Sequence, residues 1–203
     1  GRAARRPDGT ATRLVAGFNV CNEAALIAAR NKKKFVERED FISAVDRIIG
    51  GLEKKNKIIT QAEKETIAIH EAGHATLSWF LEHANPLVKV TIVPRGKALG
   101  AAWYLPEERQ ITTKEQMLDE MCALLGGRAA EELFVGEISS GAMNDLERVT
   151  KQAYGMIAYL GMSDKMPNLS YYDSSGQDYS FQKPYSERTA ELIDNEVKAL
   201  IAE

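Results

Sequence analysis

Residues 67–80 read IAIHEAGHATLSWF, an apolar run with helical spacing that carries two histidines, a glutamate and a glycine within about one turn. Titratable groups are costly to bury unless they are paired or bound to something. Any fold that uses this run as a helix must therefore bring a partner to its centre.

His70 and His74 are four residues apart, so on a helix they share one face, one turn apart, at a spacing from which two imidazoles can bind one zinc ion. Glu71 projects beside them, where a carboxylate can take a proton from a water that zinc has acidified. This is the HExxH pattern of zinc hydrolases. Gly73, inside the same helix, costs about 1 kcal/mol against alanine, so a neighbouring backbone or helix is expected to pack close to it. Three fixed positions also occur by chance, and a hydrogen-bonded histidine pair in a core is the plainer alternative. His83 has no partner at ligand spacing and reads as a surface or packing histidine.

With 203 residues, 44% hydrophobic and 27% charged, the chain can bury one sizeable core. A net charge of −3 makes no electrostatic case for nucleic acid. Charges break every apolar run before the ~18 residues of a membrane span, and no secretory leader is expected. Cys21 and Cys122 are expected as two reduced thiols packed inside an intracellular protein.

Residues 1–18, with four arginines, three glycines and a proline, read as a linker or an expression remnant. Residues 19–51 read as two helices. CNEAALIAARNKKK ends in a basic turn, and FVEREDFISAVDRIIGG gives acidic residues first, apolar residues at Phe41, Val45, Ile48 and Ile49, and a glycine pair as the stop. Residues 58–203 open on the HEAGH helix and continue through LVKVTIVP and LGAAWYLP, two strands of a small β-ribbon. A helix over ITTKEQMLDEMCALLGG follows, with a Thr113–Gln116 capping box and Met117, Met121, Leu124 and Leu125 on one face. SSGAMNDLERVTKQAYGMIAYLG is the next, capped by Asn144 and Glu147, with Leu146, Val149, Ala153, Met156, Ile157 and Leu160 inward. Residues 162–185 read as an irregular surface stretch, and a last helix turns Leu192, Ile193, Val197, Leu200 and Ile201 inward. No stop signal closes that helix before Glu203, so a longer parent protein is expected. The fold class is mainly α, with one small β-ribbon.

A catalytic zinc needs a third protein ligand. With only three histidines and two cysteines, a third histidine at HExxHxxGxxH spacing is absent, so a carboxylate must serve: Glu131 or Glu132 on one helix, or Asp145 at the head of the next. Asp145 is short and held at a helix start, which suits fixed geometry, whereas Glu131 and Glu132 reach further and lie beside Arg128. The plainer readings are a dipole-complementing aspartate and a solvated glutamate face. Gly100, Ala101 and Ala102 are small, so their strand could offer an edge to an extended peptide or simply let a helix pack close.

HEAGHA, KVTIVPRGKALG, LGGRAAEELFVG and SSGAMNDLERVT, in that order, resemble the peptidase domain of the FtsH-type ATP-dependent zinc metalloproteases, the membrane-anchored AAA proteases. The likeness runs from about Ile58 to the end, and CNEAALIAARNKKKFVEREDFISAVDRIIGG resembles the end of that family's AAA lid. The resemblance implies a zinc endopeptidase acting on unfolded polypeptides, with His70, His74 and Asp145 as metal ligands and Glu71 as catalytic base. Glu131 would then support a ligand from behind or face substrate. It also implies a homo-hexameric parent anchored in a bacterial inner membrane with this domain cytoplasmic, or in an organelle inner membrane, the piece itself being soluble. ATP and Mg2+ would belong to the motor, whose phosphate loop is absent from this sequence. GFN passes straight into VCNEAAL where the family has a longer Gly-Ser-Ala-Asp connection, so residues are expected to be missing near Phe18. A ring-assembly scaffold and an adaptor-binding lid are the alternatives, separated from a protease by zinc content and cleavage.

Overall fold

The computed structural model describes residues 9–53, 58–94, 99–104, 109–172 and 184–203. They fall into two compact units, one of Gly1–Ile59 with Val93–Gly100 and one of Thr60–Ile92 with Ala101–Glu203.

The first unit contains α1 (Gly9–Arg30) and α2 (Arg38–Gly50). α1 starts at Gly9, so helix replaces much of the expected linker over residues 1–18 and runs unbroken past Phe18. Its sequence there, TATRLVAGFNV, carries only one glycine after the first residue, a cost of about 1 kcal/mol that a long helix absorbs. α2 is capped by Asp40, whose carboxylate accepts the Glu37 N–H at 2.9 Å, and Lys33 bridges Glu37 and Asp40 at 2.9 and 3.1 Å. The larger apolar residues of α2 do not form its buried row, and the Ile49 side chain lies outside the described residues. Phe41, Val45 and Ile48 are 39%, 36% and 44% exposed, while Ala24, Ala28, Asp40 and Ala44 are buried. The two helices meet along the neighbouring row, through alanines, and the capping role satisfies the buried Asp40 carboxylate.

The second unit contains α3 (Gln61–Phe80), β1 (Leu87–Thr91), β2 (Ala101–Tyr104), α4 (Lys114–Ala130), α5 (Met143–Tyr154) and α6 (Glu187–Ala202). This is the expected mainly α fold with a two-stranded antiparallel ribbon. In the ribbon Thr91 pairs with Ala101, Val90 with Ala102, Lys89 with Trp103 and Leu87 with Tyr104, leaving exposed Val88 as a bulge. The second strand starts later than LGAAWYLP suggests, with Gly100 in the bend before it, while Leu105 and Pro106 lie outside the described residues.

Capping decides where the helices begin. Thr60 and Glu63 form a capping box on α3, and Thr113 and Gln116 form the expected one on α4. α5 departs from expectation. A 3₁₀ turn over Ser140–Ala142 precedes it, Ser139 caps that turn, and Asn144 lies inside the helix without capping it. Glu147 is engaged by Lys151 instead. α4 and α5 each run on into a wide π turn, Glu131–Val135 and Gly155–Tyr159, and the first closes on Gly136 at φ +79°.

The core lies among α4, α5 and α6, where Met121, Leu124, Val149, Ala153, Met156, Ile157, Ile193 and Val197 are buried together. Leu160, expected inward, is exposed. The stretch after α5 is less superficial than its composition suggests: Met166 enters the core, and Ser163 is tied to Glu196 of α6 at 2.8 Å. Residues 173–183 of that stretch lie outside the described residues. Cys21 and Cys122 are free but exposed, contrary to the expected packed thiols, because each occupies the outer side of its helix. His83 is half-buried, and its backbone N–H and carbonyl bind Asp119 and Arg109. Among the described residues no helix is long and apolar enough to cross a membrane.

α3 and α4 cross backbone to backbone. A Cβ at Gly73 would lie 2.2 Å from the Gly126 carbonyl oxygen, and one at Gly126 would lie 2.7 Å from that of Gly73. This is the close approach that Gly73 requires, and neither backbone can yield. Gly73→Ala is expected to cost about 3 kcal/mol or more, at the top of the usual range for overpacking. Gly155→Ala, whose Cβ would meet nothing within 4 Å, is expected to stabilise by about 0.5–1 kcal/mol. Denaturant unfolding of the two variants measures both, and equal signs would contradict the packing account.

Candidate active site

His70, Glu71 and His74 are all buried on one side of α3. Each imidazole is fixed from behind. His70 donates through Nδ1 to Glu131 Oε1 at 2.8 Å, and His74 donates through Nδ1 to the Ala123 carbonyl at 2.8 Å. Both acceptors lack protons to give, so the Nδ1 protons are committed and the Nε2 lone pairs are left facing each other. They stand 3.0 Å apart, with the rings nearly perpendicular at 82°.

Asp145, in the first turn of α5, closes this arrangement, with Oδ2 3.5 Å from both His70 Nε2 and His74 Nε2. Among the described residues this is the place where three such ligand atoms gather, all within 4.8 Å of one another. Two opposed lone pairs and a carboxylate call for a cation between them, and imidazole, imidazole and carboxylate suit zinc. The floor is kept open by Gly127, where a Cβ would stand 2.5 Å from His70 Nε2 and 2.7 Å from His74 Nε2. The donor set therefore fits the ion that the HExxH pattern suggests.

Glu131 faces the other side of the His70 ring and is only 1% exposed; it is no part of a solvated face, whereas Glu132 is exposed. Its Oε2 accepts the Ser139 N–H and its Oε1 the Ser139 hydroxyl, each at 2.8 Å, and Arg128 lies 3.7 Å from Oε2. The contacts of Ala123 and Gly127 were not legible beforehand, since each depends on a long-range approach, and those of Ser139 depend on how the chain turns back after the π turn. The glycine pair inside α4 was the one available signal.

Burial opposes a charge on His70, but hydrogen bonding to Asp145 and Glu131 outweighs it and raises the pKa. Burial likewise opposes the Asp145 charge, yet His70 and His74 hold that carboxyl far below the ordinary range. Glu71 is raised by burial, against the opposing pull of His74 and His70. In metal-free protein the His70 contribution to stability is complete below its unfolded value and is lost as pH rises through the raised pKa. The Asp145 contribution is complete above the unfolded carboxylate value and is lost on acidification through its lowered pKa. Chelated protein should thus gain more from these groups at about pH 5 than at pH 8. Zinc competes with protons for Nε2 and should reverse the order. Thermal unfolding at both pH values, with and without zinc, tests this; a zinc-induced rise in Tm as large at pH 5 as at pH 8 would contradict it.

β2 lies along α3 beside this site. Burial raises the Tyr104 hydroxyl pKa; a hydrogen bond with Ser78 opposes the shift, and the Glu71 and Asp145 charges add to it. Ala101 and Ala102 are half-buried in the same strand, and Gly100 precedes it.

A helix presenting HExxH, met by a carboxylate from a second helix, defines a helical domain of the metallopeptidase class. The chain belongs to peptidase family M41, whose family model matches residues 57–203. It is 77% identical over 185 residues to the ATP-dependent zinc metalloprotease FtsH of Parabacteroides distasonis, covering 91% of this chain and 27% of that protein. Identity to the FtsH of Rhodothermus marinus is 58% over 188 residues, covering 91% and 27%. Identity to the mouse mitochondrial inner membrane m-AAA protease component AFG3L1 is 54% over 183 residues, covering 90% and 23%. The chain thus spans about a quarter of the length of these relatives.

Proposed function

We propose that this chain is the zinc endopeptidase part of a longer protease and hydrolyses unfolded polypeptides. His70 and His74 hold zinc through Nε2, Asp145 completes the protein ligands, and Glu71 is the general base. The observation that carries this reading is the pair of Nε2 atoms 3.0 Å apart, both Nδ1 protons committed elsewhere, with Asp145 Oδ2 3.5 Å from each. Zinc bound there would supply a Lewis acid that polarises the scissile carbonyl and acidifies water.

The remaining work falls to the protein. Glu131 and the Ala123 carbonyl hold the two rings in the tautomer that leaves Nε2 free. Burial lifts the Glu71 carboxyl, against the pull of the histidines, towards the range in which it can take a proton from the attacking water and pass it to the leaving amine.

The likeness to proteins named as ATP-dependent zinc metalloproteases and as an inner membrane m-AAA protease component supports the wider setting. In it, residues 19–51 are the C-terminal part of an AAA lid and residues 58–203 the peptidase. The longer protein uses ATP and Mg2+ to deliver substrate, assembles as a homo-hexamer and is anchored in a bacterial inner membrane with this domain on the cytoplasmic side.

Metal analysis of the purified chain, run beside degradation of a casein-type unfolded protein, tests zinc and cleavage together. One zinc per chain and cleavage abolished by a chelator are expected. A metal-free chain without cleavage would favour the scaffold or lid alternative.

Substrate would add to the free edge of β2 through main-chain hydrogen bonds, a mode that reads backbone and not side chains. Successive residues of a strand direct their N–H groups to opposite edges, so Ala101 and Ala102 cannot both serve the peptide. Replacing each singly by proline should raise KM in one variant and disturb pairing with β1 in the other. Unchanged KM and kcat in both, with the fold intact, would remove the edge from the mechanism.

A further inference from the structure

Ser139 makes four hydrogen bonds that join the two halves of the site. Its N–H donates to Glu131 Oε2 at 2.8 Å and its hydroxyl to Glu131 Oε1 at 2.8 Å. That hydroxyl oxygen accepts the Gly141 N–H at 3.0 Å, and its carbonyl accepts from Arg128 Nη1 at 2.9 Å. On one side, the Oε1 atom it touches is the one that holds His70 Nδ1 at 2.8 Å. On the other, it caps the turn Ser140–Ala142, which leads without a break into α5 and its Asp145. The space is closely fitted: a Cβ at Gly141 would come within 3.1 Å of Ser139 Oγ and 3.7 Å of Glu131 Oε1.

We infer that Ser139 is a positioning residue of the metal centre, its hydroxyl fixing the Glu131 carboxylate against His70 while setting the start of α5 so that Asp145 meets both histidines. The inference rests on the zinc reading above and adds a residue that contacts neither metal nor reacting atoms. A carboxylate left with one fewer donor turns about its last torsion and carries the His70 ring with it. Loss of the Gly141 acceptor loosens the turn that aims Asp145. Both errors act on one ion, and such sites tolerate only about 0.5 Å of displacement.

Ser139→Ala removes the hydroxyl alone, Ser139→Thr keeps it, and Arg128→Met frees the Ser139 carbonyl while also removing the charge 3.7 Å from Glu131 Oε2. Zinc affinity of the whole chain, measured by competition with a chromophoric chelator, should fall about 10–100-fold in Ser139→Ala, as for lost partners of ligating histidines. Ser139→Thr should stay within about threefold of the parent, and Arg128→Met should weaken binding by about tenfold. The visible spectrum of the Co2+-loaded chain should change in Ser139→Ala and be restored in Ser139→Thr, which a purely structural serine would not produce.

Affinity in Ser139→Ala within about twofold of the parent would overturn the inference, as would equal losses in the alanine and threonine variants. If Ser139→Ala does not fold, Arg128→Met decides, and parent-like affinity there overturns it. A parent chain that binds no zinc would defeat the proposed function itself, a result distinct from any of these.

Discussion

Glu71→Gln is expected to keep its zinc and lose cleavage of an unfolded polypeptide by about 10²–10⁴-fold in kcat, the usual worth of a general base. Glutamine preserves the size of the side chain and one acceptor oxygen, so the α3 surface beside His70 and His74 should be undisturbed. What disappears is the group able to take a proton. The proposed ligands are other residues, His70 and His74 on the same helix and Asp145 on α5, so metal content should stay at the parent level. KM should change little, because the edge proposed to hold substrate is β2 and not the base. Burial already opposes ionisation of Glu71, so a neutral side chain at that position should leave the metal-free fold at least as stable as the parent. Metal analysis and single-turnover cleavage of one preparation test both halves of this expectation. Near-parent cleavage would place the base elsewhere.

The helix from Gln61 to Phe80 was legible because its signals are local, apolar spacing and histidines one turn apart, whereas the Thr60–Glu63 capping box that starts it emerged only in the structure. Gly73 was legible as a demand for close approach, but not the identity of the backbone that approaches, since Gly126 is distant in sequence. The start of α5 was misread for a physical reason. Asn144 and Glu147 have capping-box spacing, yet Ser139 caps a 3₁₀ turn earlier, and Glu147 turns to Lys151. In α2 the helical periodicity was legible but the buried row was not, because alanines let α1 and α2 approach along a row that the larger apolar residues do not occupy. Glu131 shows the same limit at the site. Nothing local distinguishes it from Glu132, and only the approach of His70 and Ser139 makes one buried and the other exposed.

The two carboxylates near His70 should separate cleanly by mutation. Asp145 Oδ2 lies 3.5 Å from the Nε2 atoms of both histidines, on the side where their lone pairs converge. Glu131 touches Nδ1, on the far side of the ring, at 2.8 Å. Asp145→Asn keeps the shape and the first-turn position while removing the negative charge. Zinc affinity should fall by more than about 10²-fold, beyond the 10–100-fold typical of residues that only support a ligand. Glu131→Gln can still accept the Nδ1 proton through its amide oxygen, so it should retain most of the metal, with a loss of about tenfold. The helical circular dichroism of both variants should match the parent, because neither change touches the α4–α6 core. In metal-free protein Asp145→Asn should also remove the acid-side loss of stability that its depressed pKa produces, a second readout independent of zinc. The reverse order of zinc affinities would transfer the ligand role to Glu131, leaving Asp145 as a carboxylate that complements the amino-terminal end of α5.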